Sequence, residues 1–153
     1  DSVSDETMSR AAVLLGSGAD AQSIYRNLYS EDPERVKLRA KFTLKARFTE
    51  HGVGYLFNTA EEVAALGVDT ITISRGMVNV MADMKGVDIW VNFTECESGV
   101  LCELRSSVFN INPIAAKYGG GGHAKASGAT LKDFDEARKM LAELDEMAAT
   151  DKN

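Results

Sequence analysis

The residues of this chain that could do chemistry crowd into one stretch. Tyr118-Gly119-Gly120-Gly121-Gly122-His123-Ala124-Lys125-Ala126-Ser127-Gly128 sets four consecutive glycines in front of a histidine. Four residues without Cβ let a loop take φ > 0, and successive N–H groups can then turn toward one point, a concave row of donors that suits a phosphate. His123, closing the run, stands where an imidazole could donate to a phosphate oxygen; a capping or packed histidine is the ordinary alternative. For the glycines the ordinary alternative is a turn or linker. Linkers, however, are polar throughout, and this run lies between Ile114-Ala115-Ala116 and the stretch from Ala126 to Leu131. An ordered anion-binding loop is the expectation. No register supplies the second Gly, Lys and Ser/Thr of a Walker A loop. Gly119-x-Gly121-x-x-Ala124 fits the loose dinucleotide pattern, but that motif leaves a strand, and what precedes it here, Asn112-Pro113-Ile114-Ala115-Ala116-Lys117, reads as a short helix.

Three blocks carry a resemblance. Leu104-Arg105-Ser106, Gly119-Gly120-Gly121-Gly122-His123 and Ala126-Ser127-Gly128-Ala129-Thr130-Leu131 resemble the C-terminal DHH-associated domain of the DHH phosphoesterase family. The branch is similar to the oligoribonuclease (nanoRNase) and phosphoadenosine-phosphate phosphatase type, related in turn to exopolyphosphatases and cyclic dinucleotide phosphodiesterases. The resemblance implies a substrate-binding role: Arg105, Ser106, Gly120, Gly121, Gly122 and His123 would grip the phosphate of a short RNA, a dinucleotide or a nucleotide phosphate. An Arg fork can hold a phosphate bidentately or stack on a base; a surface ion pair is the alternative for an isolated Arg. Strand-end serines, for their part, commonly cap turns. The resemblance places the metals, Mn or Mg, in an N-terminal DHH catalytic domain. This chain has no Asp-His-His tripeptide, and its Asp133-Phe134-Asp135 is explained by helix capping. Residues 1–30 would then be a helical connector from that domain and residues 31–153 the DHH-associated domain. A stand-alone nucleotide-sensing module is the alternative. The family often carries an acid near the position of Arg75, so this chain departs from it there.

The elements that must position these residues follow from spacing. Ser2 or Ser4 can cap a helix to about Leu15 with Met8, Ala11, Ala12 and Leu15 on one face, and a second helix runs from Asp20 to about Tyr29 with Ile24, Tyr25 and Leu28 inward. Asp32-Pro33-Glu34 starts a third. Val36 to Phe48 then alternates with period two, which says strand, whereas the helix start and the resemblance say helix to about Leu44 and strand after it; the second is expected. Lys45 to Glu50 and Val53 to Asn58 can pair through His51-Gly52. Thr59-x-x-Glu62 is a capping box for a helix ending at Gly67. Val68 to Ile73 reads as a strand or loop, with Ser74 capping a helix from Arg75 to about Met84. Asp88 to Glu95 and Val100 to Ser106 form the strongest strand pair, with Trp90 expected in the core. Ser127 to Leu131 is a last strand, and Asp133-x-x-Glu136 caps a helix whose apolar face is Phe134, Ala137, Met140, Leu141 and Leu144. The tail from Ala149 to Asn153 should fray. The fold class expected is α/β (α+β), a single domain with a mixed central sheet of about five strands flanked by helices.

Composition sets the bounds. The chain has 153 residues, 44% of them apolar, and a net charge of -6, which argues against general duplex binding because that needs broad phosphate neutralisation. Between Gly99 and Gly128 the sign reverses: Arg105, Lys117 and Lys125 stand against Glu103. A small positive site on an acidic protein suits a short anion. No apolar run reaches the length of a membrane span and no signal peptide opens the chain, so a cytoplasmic location is expected, and the start at Asp1 suggests a fragment. Cys96 and Cys102, with five residues between them, are expected to pack, reduced; with only His51 and His123 beside them, a His/Cys metal cluster is not expected.

Overall fold

The structure, a computed structural model, describes residues 3–150. The chain divides into two compact units, Asp1–Val36 and Lys37–Asn153. In the first, α1 (Asp5–Gly16) starts at Ser4, whose side chain accepts from Thr7 N while Thr7 reaches back in a capping box, and α2 (Ala21–Tyr29) starts at Asp20. The expected inward faces are not buried: Met8, Leu15, Ile24, Tyr25 and Leu28 are all more than half exposed. Two short helices lack a further layer to enclose a core. Ser2, the other expected cap, and residues 151–153 of the expected frayed tail lie outside the described residues.

Helix α3 (Pro33–Lys45) follows the Asp32-Pro33 start and overrides the alternating pattern, since Pro and an acid in the first turn favour helix locally. The second unit is built on a mixed six-stranded sheet, one strand more than expected, in the order β1-β2-β3-β4-β6-β5. Its strands are β1 (Arg47–Phe48), β2 (Gly54–Asn58), β3 (Ile89–Cys96), β4 (Gly99–Ser106), β5 (Gly121–His123) and β6 (Ala126–Leu131). The additional strand is β5, formed by part of the glycine run itself. β2 and β3 are parallel, and the remaining neighbours antiparallel. A parallel pair needs a crossover, supplied here by α4 (Ala60–Leu66), α5 (Thr70–Ser74) and a 3₁₀ turn, Val78–Met81.

Val68 to Ile73 and the expected helix from Arg75 are corrected by this crossover. Asp69 accepts from Thr72 N at 2.8 Å and caps α5, so the β-branched run Thr70 to Ile73 is helical, and Ser74 ends a helix instead of starting one. A local cap and burial of Ile73 outweigh strand propensity. Helices α6 (Asn112–Lys117) and α7 (Phe134–Ala149) cover the opposite sheet face, where Val91, Phe93, Cys102, Leu104, Ile114, Met140 and Leu144 form one core. Phe42, Leu56, Val63, Ile73, Met77, Met81 and Trp90 form the other, beneath the crossover. Trp90 is core, as expected, and its indole N–H donates to Asn79. Cys102 is buried, which pushes its thiol well up, and both cysteines are free of disulfides. Among the described residues no helix is long and apolar enough to cross a membrane.

Candidate functional site

One row of paired residues crosses the sheet and explains where the site lies. Leu56 pairs with Asn92, Asn92 with Glu103, Glu103 with Gly128 and Gly128 with Gly121. Directly opposed residues share a face, so this row runs from a buried leucine, through a buried asparagine and a carboxylate, to two positions with no side chain. Over β2 and β3 the face is covered by the crossover. Over β4, β6 and β5 it opens as a pocket of about 590 Å³, in which Arg75, Glu103 and Arg105 stand around the glycine floor.

Asn92 fixes the edge of this pocket. Its side-chain amide donates to the carbonyls of Ile73 and Ser74 at 2.7 and 2.9 Å, pinning the end of α5, and its oxygen accepts from Asn58 at 2.7 Å. Such buried bonds are costly to leave unmade, so the C-terminus of α5 is held over the sheet and Arg75, the next residue, reaches the pocket. Arg75 Nε donates to Glu103 Oε1 at 3.0 Å. Arg105 donates from Nη1 and Nη2 to Glu103 Oε2 at 3.3 Å each, and from Nη1 to the Leu104 carbonyl at 2.7 Å. Two guanidinium groups against one carboxylate leave the pocket positive on a protein of net charge -6.

The glycine run does not form the expected row of free donors. Gly119 and Gly120 donate to the carbonyls of Ala116 and Ala115, a Schellman closure of α6 that uses the left-handed φ of 76° at Gly119. A Cβ on Gly120 would lie 2.1 Å from the Gly128 carbonyl, so close approach to β6 also requires glycine. The last two glycines continue with His123 into edge strand β5. Helix carbonyls and a sheet edge need donors, and these outcompete an empty nest. What the run supplies instead is a bare surface at Gly121, facing Gly128.

The remaining expected site residues divide. Gly120, Gly121 and Arg105 line the pocket. Ser106 does not: it alternates to the covered face, donates to the Asp88 carbonyl at 2.9 Å and accepts from Val108 N and Phe109 N, closing the turn after β4. Gly122 lies outside the lining; its carbonyl accepts from Asn112. His123 is exposed and shares a row with Arg105, with Ala126 between them. Two strand spacings put these two about 10 Å apart. Lys117 and Lys125, considered for the same electrostatic role, are engaged elsewhere, with Glu143 and the Val108 carbonyl. Lys117 and the Tyr118 hydroxyl both donate to Glu143, docking α6 on α7; burial and that carboxylate push the Tyr118 phenol up to about 12.

Sequence reasoning missed Glu103 and left Arg75 open. Period two from Arg105 would have placed Glu103 on the same face; no local signal places Arg75. Among the described residues no group of three His, Cys, Asp or Glu side chains could hold a metal ion.

Fold and pocket define an α/β domain with an anion-compatible site on the uncovered part of a sheet. The chain belongs to the DHHA1 domain family, which it matches over residues 63–150. It is 28% identical over 141 residues to the bifunctional oligoribonuclease and PAP phosphatase NrnA of Bacillus subtilis, covering 92% of this chain and 45% of that protein. The NrnA of Mycoplasma genitalium is 30% identical over 138 residues, covering 90% and 42%. The chain thus spans less than half the length of these relatives. An exopolyphosphatase-related protein from Bacteroides fragilis shares the fold with a TM-score of 0.78 at 24% identity, covering 95% of this chain and 45% of that one.

Proposed function

We propose that this domain holds the phosphate end of a short oligoribonucleotide, dinucleotide or nucleotide bisphosphate for hydrolysis by a separate metal-dependent DHH domain. The observation that carries this reading is Arg105, held half-buried beside a sheet floor stripped of side chains at Gly121 and Gly128. A planar base or sugar can lie flat on such a floor while the guanidinium fork takes the phosphate. His123, at the other end of the Arg105 row, is the second contact; a ligand spanning both is one or two nucleotides long. Ser106 keeps a supporting role, fixing the strand end that presents Arg105. The names of the NrnA relatives, which are oligoribonuclease and PAP phosphatase, support the ligand class.

In this reading the metal chemistry belongs to the other domain. Bound Mn or Mg supplies an activated water there; this chain binds and orients. The greater length of the relatives is consistent with such a partner domain, and the word oligoribonuclease in their name with action on short RNA. Calorimetry with 5′-phosphorylated diadenosine (pApA) and with adenosine 3′,5′-bisphosphate tests the reading. Arg105→Ala is expected to weaken binding about ten-fold or more, the loss of one charge-assisted contact. Equal affinity of wild type and Arg105→Ala would overturn it.

A further inference from the structure

The two arginines of the pocket do not wait with empty hands. Glu103 Oε1 accepts from Arg75 and Oε2 from Arg105, so one carboxylate fills the seat between two guanidinium groups. Its own position is enforced: the pairing with Asn92 fixes the backbone, and the side chain is only 15% exposed. The arginines differ in freedom. Arg105 is tied as well to the Leu104 carbonyl, and its side chain is 23% exposed; that of Arg75 is 69% exposed and stands at the rim.

We propose that Glu103 is a displaceable internal anion, which occupies the seat a ligand's phosphate takes and thereby sets the charge a ligand needs to enter. This rests on the reading of the pocket as a nucleotide site. A phosphodiester carries one charge on two free oxygens, as a carboxylate does, and gains nothing over a carboxylate already tethered in place. A terminal phosphate monoester carries about -1.5 to -2 charges near pH 7 on three acceptor oxygens, and wins the exchange. Arg75, the freer arm, moves from Glu103 to the incoming phosphate, while Arg105 keeps its backbone anchor. Glu103 thus sets a cost that every entering anion must meet, which a terminal phosphate clears and a lone internal diester does not.

Calorimetry on the full chain compares pApA with unphosphorylated ApA, whose one phosphate is a diester. In Glu103→Gln, both ApA and pApA should bind roughly three- to ten-fold more tightly, the scale of a partly exposed ion-pair competitor, so that ApA gains the entry that wild type denies it. In the double variant Arg75→Ala/Glu103→Gln that gain should vanish. Thermal unfolding of each variant separates a loosened pocket from a changed one. If wild type binds pApA and Glu103→Gln leaves ApA binding unchanged or weaker in a folded protein, the inference is overturned alone, and Glu103 is a brace or a direct ligand contact. A gain that survives removal of Arg75 overturns the part given to Arg75. Failure of wild type to bind pApA overturns the nucleotide reading and this inference together.

Discussion

Strands β3 and β4 share an eight-pair antiparallel ladder, yet they live in different surroundings. From Ile89 to Thr94 every residue of β3 is buried, on both faces, whereas β4 alternates along its whole length, with Val100, Cys102, Leu104 and Ser106 buried and Leu101, Glu103 and Arg105 only partly so. The cause is the crossover: α4, α5 and the 3₁₀ turn cover β2 and β3 and reach no farther than the near side of β4, while α6 and α7 run under the whole centre of the sheet. Within one strand, adjacent residues therefore answer to different demands. Leu104 serves the fold and Arg105 serves the pocket. A pocket opens on a sheet wherever a helix layer simply ends early.

Substitutions on the two faces should separate stability from binding. Leu104→Ala removes a fully buried side chain and is expected to cost about 2–5 kcal/mol in denaturant unfolding; a loss below 1 kcal/mol would mean the covered face is not a packed core. Gly120→Ala, whose methyl would meet the Gly128 carbonyl, should cost about 1–3 kcal/mol by the same measurement.

The covered face also carries a pH response. Asp145 on α7 accepts from the backbone N–H of His51 and meets His51 Nδ1 and the Thr49 hydroxyl, tying the helix to the turn after β1. Burial would raise its carboxyl, but these bonds outweigh burial and hold it below the usual carboxylate range. A folded-state value below the unfolded one gives stability that is present above about pH 4 and fades as pH falls through the depressed value. Asp145→Asn should thus cost about 1–2 kcal/mol at pH 7 and progressively less in acid. A pH-independent cost would show that the carboxylate's charge is not what matters.

The smallest effect on stability belongs to the open face. Gly121 has free space where a Cβ would stand, so Gly121→Ala should change stability by no more than about 0.5 kcal/mol. The same methyl roughens the floor and should weaken pApA binding, measured by calorimetry. Intact folding with intact binding would return the glycines to a purely structural role.

Much of this architecture was legible because it is local. Ser4, Thr59 and Asp133 cap helices where their side chains were expected to, and the hairpin of β3 and β4 follows its β-branched and aromatic content. Where reading failed, a distant partner had intervened. The helix Thr70–Ser74 was hidden by β-branched residues and is held by Asn92, about twenty positions later in the chain. The four glycines were legible as special, but their amides were assigned to a ligand, when the carbonyls of α6 take those of Gly119 and Gly120 and the other two glycines pair with β6.

By itself the sequence determined the caps, the strand alternation and the family, because each depends on residues within a few positions of one another. Only the tertiary structure decided that the face carrying Ser106 is the covered one, that Arg75 joins Arg105 and Glu103, and that two glycines on different strands make one floor. Those facts depend on which helices cover which face, and coverage is settled by packing between residues far apart in the chain.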